Sequence, residues 1–259
     1  MIRQLLLSCC ILACGTLGLA QTPATATAVS SASFGRDVAP SSLVSIFTNS
    51  NVHRSASSTT TKVKVKDRRG NTHQVEVFYS TPQQTNVYVQ DDIATGPCEF
   101  EIYSGMNEVS RGTFPLTWVA PGLFAANANG VGVPAALVFR LTTAGVQTYE
   151  NVFQWSVQQK RYIPLAIDLR TASGDKVFLV LFGTGFRNNP DMAEVQVTLG
   201  EQNVQVYYAG PQGPAGIPGT FYGLDQINVL IPSNVAPGVY PVVAKVGMLA
   251  TNAVTVEVK

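Results

Sequence analysis

The sequence predicts an all-β chain made of two copies of one antiparallel unit, and three observations carry that expectation. The chain nearly repeats itself: Val75-Glu76-Val77-Phe78-Tyr79-Ser80-Thr81-Pro82 returns as Val204-Gln205-Val206-Tyr207-Tyr208-Ala209-Gly210-Pro211, and Gln84-Thr85-Asn86-Val87 returns as Gln226-Ile227-Asn228-Val229. Gly96 maps on Gly238, Gly105-Met106 on Gly247-Met248, and Leu43-Val44-Ser45-Ile46-Phe47 on Phe178-Leu179-Val180-Leu181-Phe182. Self-similarity at a long period marks two copies of one structural unit. Second, apolar and polar residues alternate in short runs separated by turn residues, as in Lys62-Val63-Lys64-Val65-Lys66 before Asp67-Arg68-Arg69-Gly70-Asn71, which reads as strands and hairpins. Third, only 13% of residues are charged, and Val, Thr, Ala, Gly and Pro dominate, a balance that favours strands and turns over helices.

Taken from the start, residues 1–20 read as an export signal. Arg3 is the charged opening, Leu5 to Leu19 is mostly apolar, and Gly18-Leu19-Ala20 offers small residues before a cut between Ala20 and Gln21. A competing reading takes Ile11-Leu12-Ala13-Cys14 as a lipobox, with the chain lipid-anchored at Cys14. Either way the destination is outside the cytoplasm, secreted or periplasmic and at the cell surface. The apolar run is short for a membrane span, which needs about 20 residues, and no later stretch approaches one. Residues 21–33, small and polar, read as a flexible leader.

The first module is expected over 34–118. Strands are read at Leu43 to Phe47, Lys62 to Lys66, Gln74 to Tyr79, Asn86 to Val89, Cys98 to Tyr103 and Gly112 to Trp118. The second is expected over 119–259, with Val177 to Phe182, Glu194 to Thr198, Asn203 to Tyr208, Gln226 to Ile231, Tyr240 to Val246 and Ala253 to Val258. An added N-terminal hairpin spans Ala135 to Thr142 and Val146 to Val157 around Thr143-Ala144-Gly145. Short strands spaced about 8 to 12 residues apart suggest immunoglobulin-like antiparallel β-sandwich modules, here two, related by internal duplication. No inter-sheet disulfide is available, because Cys98 alone remains beyond the signal and is expected to pack as a small apolar side chain.

One segment is distinctive: Val119-Ala120-Pro121-Gly122-Leu123-Phe124-Ala125-Ala126-Asn127-Ala128-Asn129-Gly130-Val131-Gly132-Val133-Pro134. With Leu181-Phe182-Gly183-Thr184-Gly185, Tyr208-Ala209-Gly210-Pro211 and Gly223-Leu224-Asp225-Gln226, it resembles an uncharacterised family of C-terminal domains in secreted acidobacterial proteins. Ser33-Phe34, Ala39-Pro40 and Leu43 to Phe47 resemble that family too, whereas Thr48-Asn49-Ser50-Asn51 departs from it. The resemblance covers nearly all of the chain beyond the signal. It implies export and an immunoglobulin-like β fold, with no known activity and no catalytic or binding residue to carry over.

The residues offer little chemistry. Without Arg3 the chain has 16 basic and 16 acidic residues, so the electrostatic footprint of a nucleic-acid partner is missing. His53 and His73 lie in polar turns, Asp91-Asp92 lacks the oxygen series that calcium needs, and no nucleophile-elbow, metal or phosphate-loop motif occurs. No cofactor is expected.

Three surface features remain. Lys62, Lys64 and Lys66 share one strand face that suits an anionic polysaccharide or is simply solvated. An insertion of 13 residues in the second copy, within Gly210 to Tyr222, makes a loop with Tyr208, Phe221 and Tyr222 as its aromatics. Trp118 and Trp155 suit sugar stacking or, equally, burial. The function expected is an exported, non-enzymatic structural or interaction module meeting a cell-surface protein or a polysaccharide. The alternatives are a carbohydrate-binding module or a periplasmic chaperone-like assembly protein.

Overall fold

The computed structural model describes residues 22–48, 60–189, 191–213 and 221–259. The signal with Ala20 and Gln21, Cys14 and His53 lie outside them. Every regular element described is a strand, apart from one 3-10 turn at Met192–Glu194.

The first half contains β1 (Ala24–Ser30), β2 (Ser42–Thr48), β3 (Thr61–Lys66), β4 (Thr72–Ser80), β5 (Gln84–Val89), β6 (Gly96–Ser104) and β7 (Asn107–Leu116). They close into a barrel in the order β1-β2-β5-β4-β3-β6-β7. The second half contains β8 (Gly122–Leu123), β9 (Ala136–Leu141), β10 (Gln147–Asn151), β11 (Phe153–Ser156), β12 (Arg161–Pro164), β13 (Lys176–Thr184), β14 (Val195–Leu199), β15 (Gln202–Pro211), β16 (Asp225–Leu230), β17 (Gly238–Val246), β18 (Leu249–Ala250) and β19 (Val254–Val258). Its main sheet runs β10-β9-β13-β16-β15-β14-β17-β18, with β19 on β17, β8 on β13, and β11-β12 as a separate hairpin.

The two halves use the same ladder. The order β2-β5-β4-β3-β6-β7 matches β13-β16-β15-β14-β17-β19, and the registers agree residue by residue. Val44 faces Val87 as Leu179 faces Val229. Val63 faces Ile102 as Val197 faces Ala244, and Gly96 faces Leu116 as Gly238 faces Val258. The halves also share a bulge at the same place, between Val77 and Tyr79 against β5 and between Val206 and Tyr208 against β16. Even an isolated parallel bridge recurs, Val38 to Leu116 and Ile167 to Val258.

Period-two alternation explains each core. On β3, Val63 and Val65 point inward while the lysines stay wetter. Val44, Ile46, Val87, Phe100 and Ile102 fill the first core, and Leu179, Leu181, Ile227, Val229 and Val256 the second. Fully burying such a side chain contributes roughly 1.5–3 kcal/mol. The cores are separate clusters, so each half has its own hydrophobic centre.

Two sequence expectations need correction. The stretch read as a flexible leader, residues 21–33, contains β1, which pairs antiparallel with β2 and, at Ala24 and Thr25, parallel with β7. Its small alternating side chains supply little apolar area, but its backbone closes the barrel and so removes a sheet edge. The added hairpin is two hairpins, β9-β10 and β11-β12, divided at buried Val152.

Gly112 on β7 marks how closely β1 lies. A Cβ there would run into the Ala26 carbonyl oxygen and the Phe100 ring. Gly112→Ala is therefore expected to destabilise the first half by about 1–3 kcal/mol. Hydrogen exchange should show residues 26–30 losing protection while the second core keeps its own.

Candidate functional site

The inserted loop of the second half is seen at its two ends. Tyr208, just past the bulge on β15, donates its hydroxyl hydrogen bond to the Pro211 carbonyl and so braces the departing chain. Burial, with the nearby Asp225 charge, pushes its phenol up. Phe221 and Tyr222 are 62% and 60% exposed. Tyr222 leans on Tyr88 of the first half, ring centroids 5.3 Å apart. Gly223 follows with φ +71°, and Leu43 leaves no room there for a side chain. The far end of the loop therefore lies on the first half, and Tyr208 sits apart from Phe221 and Tyr222 as a brace.

That contact belongs to a hydrogen-bonded seam. The Thr184 hydroxyl donates to the Gly223 carbonyl at 2.6 Å and accepts the Leu43 N–H at 2.9 Å. Asn188 Nδ2 donates to the carbonyls of Pro40 and Trp118, 2.8 and 3.3 Å away. The Ala120 N–H donates to the Gly185 carbonyl, and Gly185, at φ +85°, has the Ala120 carbonyl where a Cβ would stand.

Behind the seam Asp225 has no exposed surface. It accepts the Phe186 N–H at 2.8 Å, the Arg187 N–H at 3.2 Å and Arg187 Nε at 2.5 Å. Burial pushes this carboxyl up, and the Arg187 guanidinium with the two amides opposes it. Arg187 also donates to the Leu224 carbonyl.

The distinctive segment is locked to the same end. Asn252 accepts the Leu123 N–H and donates to the carbonyls of Leu123 and Gly130. Asn127 clamps both backbone groups of Tyr162 on β12. Thr184-Gly185, Gly223-Leu224-Asp225 and Gly122 to Gly130 thus meet in one structure, a convergence that their separation along the chain concealed.

Two lysines of the basic face meet acidic residues on the next strand. Lys66 pairs with Glu99 at 3.5 Å, and Lys64 stands opposite Glu101 with its ammonium 4.8 Å from the Tyr103 ring centre. Tyr103 in turn donates to Glu101. Lys62 is exposed beside this row. Acidic residues on β6, adjacent in space and distant in sequence, thus stand beside two of the three lysines.

Other reactive types are tied up structurally. Cys98 is buried and unpaired, and burial together with the Asp67 charge pushes its thiol up to about 11. His73 lies 3.3 Å from Asp67 and 3.5 Å from Asp92. Asp67 also accepts backbone N–H groups of Arg69, Asn71 and Ala94. Burial opposes its charge, yet the Asn71 amide, His73 and the other amides together hold its carboxyl at about 2. Among the described residues no group of three His, Cys, Asp or Glu could hold a metal, and no helix is long and apolar enough to cross a membrane. Trp118 and Trp155 are both exposed, so burial does not explain them. Trp155 meets Tyr162 edge-on across the β11-β12 hairpin.

No protein-family model matches the chain, and no curated protein matches it. Among solved structures, a Bacteroides ovatus surface protein of a mixed-linkage glucan utilisation locus, solved with a heptasaccharide, is 11% identical over 86% of this chain, with a TM-score of 0.37. This chain spans 43% of that protein's length. Domains 5–6 of the S-layer protein SbsC are 15% identical, with 92% of this chain and 96% of that chain covered and a TM-score of 0.30. The Escherichia coli adhesin FdeC is 10% identical over 90% of this chain and 64% of its own, with a TM-score of 0.26. Likeness at this level carries no argument about what the present chain binds.

Two outcomes are expected from the seam and the turn. Arg187→Met strands the Asp225 charge and should cost about 3–5 kcal/mol in chemical denaturation. For Asp67, the folded carboxyl titrates at about 2, below its ordinary 3.8. Its stabilisation is present above pH 3.8 and is lost as pH falls toward 2. Acid denaturation of Asp67→Asn should therefore be shallower than wild type across that window.

Proposed function

We propose that the chain is an exported, non-enzymatic interaction module of the cell surface or extracellular space. It consists of two immunoglobulin-like β units descended from one duplicated unit, the first closed into a barrel by β1, and held in one arrangement. The observation that carries this reading is the seam. Two bodies with matching ladder registers and separate cores are joined by hydrogen bonds, the Leu43 N–H to the Thr184 hydroxyl and Asn188 to the Pro40 carbonyl, while Asp67, Lys64 and Lys66 serve a turn and cross-strand pairs. Such a body suits a role in presenting surfaces at a set spacing.

Export rests on residues 1–20. Membership of the acidobacterial C-terminal domain family is supported by the way its motif residues gather at the seam, where a shared architecture would need them.

Cell fractionation with mass spectrometry of the N-terminus tests the location. The expected result is an extracytoplasmic protein beginning at Gln21; a cytoplasmic pool retaining residues 1–20 overturns it. The same purified protein should give no turnover with glycosidic, ester and peptide substrates, and any turnover ends the non-enzymatic assignment.

A further inference from the structure

Three outward-facing side chains recur at equivalent positions in both halves although the core does not need them. On β5, Gln84 and Asn86 point away from the core, while Thr85 and Val87 between and beyond them are buried. Tyr79 of β4 stands directly across from Asn86. In the second half Gln226 and Asn228 hold the same places on β16, with Tyr208 of β15 across from Asn228. The buried position between the amides has changed, from Thr85 to Ile227, while the outward amides have not. A core-packing requirement would retain the buried residue first.

The side-chain geometry is also repeated. Gln84 Nε2 donates to Asn86 Oδ1 at 2.8 Å, and Gln226 Nε2 donates to Asn228 Oδ1 at 2.7 Å. That bond orients both amides and leaves each asparagine Nδ2 as a donor and each glutamine Oε1 as an acceptor. Among the described residues these two groups have no other hydrogen-bond partner. The bulge beside each pair re-aims the aromatic neighbours on the facing strand. It leaves Phe78 and Tyr79 43% and 50% exposed in the first half, and Tyr207 42% exposed in the second.

We infer that these two amide–tyrosine faces are a pair of binding sites for a neutral polysaccharide, one in each half. This rests on the reading of the chain as an interaction module and names what it would bind. A sugar unit has hydroxyls that both donate and accept, and an apolar C–H face. A pre-oriented amide donor and acceptor serve the first, and an adjacent tyrosine ring serves the second. Charge decides the class of glycan. Neither amide pair has an ionised residue as its direct cross-strand neighbour: Asn86 lies between Ser45 and Tyr79, and Asn228 between Val180 and Tyr208. An anionic chain would call for Arg or Lys at that point. Because the seam fixes the halves, one long chain engaging both sites gains from effective concentration.

The test is affinity electrophoresis of the full mature chain through gels containing xylan, galactomannan, hydroxyethyl cellulose or, separately, polyanionic alginate. Retardation by at least one neutral polymer and none by alginate is expected. Asn86→Ala and Asn228→Ala should each weaken it about fivefold, the effect of one lost hydrogen bond, and the double variant should abolish it at an unchanged melting temperature. Asn86→Asp with Asn228→Asp keeps the side-chain size and removes the donor, so it should also abolish retardation should the alanine variants fail to fold. No retardation by any neutral polymer overturns the inference, as does a folded double variant that is retarded like wild type. Retardation by alginate alone overturns it too. Each of these failures leaves the proposed location and lack of turnover standing, since those are read from fractionation and substrate screens.

Discussion

A carboxylate with no exposed surface organises the second-half turn that borders the first half. Asp225 starts β16, and leaving its charge unpaired in an apolar interior would cost several kcal/mol. The turn at 185–187 is therefore shaped to deliver two backbone amides and the Arg187 guanidinium to it. That turn begins where Thr184 ends β13, and Gly223 stands just before Asp225. Thr184 then reaches both Gly223 and the first residues of β2. Satisfying one buried group thus sets the turn and the strand start from which Thr184 and Gly223 meet Leu43 of the first half.

Within the halves the energetics are different. Each core is mostly Val, Leu and Ile on alternating positions, with Phe100 the largest fully buried side chain. Antiparallel ladders of this kind are long-range pairings with exposed edges at risk of association. The first half solves its edge by closure, using a strand of small residues. The second ends its sheet at β10, whose five residues are all exposed.

Much of the architecture was legible because a repeat is a pattern in one dimension. The matched runs around Val77 and Val206 located equivalent strands, and the structure gives them equivalent registers and bulges. What stayed hidden depends on neighbours distant in sequence. Ala24 to Ser30 looks unable to pack because its stabilisation comes from backbone pairing to β2 and β7, which side-chain area does not report. The lysine row read as an anion site or a solvated face, and along the chain nothing showed that Glu99 and Glu101 stand opposite it on the adjoining strand. Tyr208, grouped with Phe221 and Tyr222 by proximity along the chain, turns out to serve its own turn at Pro211. The Gln84–Asn86 and Gln226–Asn228 pairs were visible as repeated letters, but only the ladder shows that they point outward.

The pairing of β1 has a mechanical side. It enters beside β7, running the same way, and β7 leads through Thr117 into the second half. Tension applied between the start of β1 and the end of β7 drags these two strands past each other lengthwise. The ladder bonds of β1 must then rupture together, whereas a strand peeled from its end gives them up one at a time. Along that axis the first half resists extension by the shear of β1 against β7.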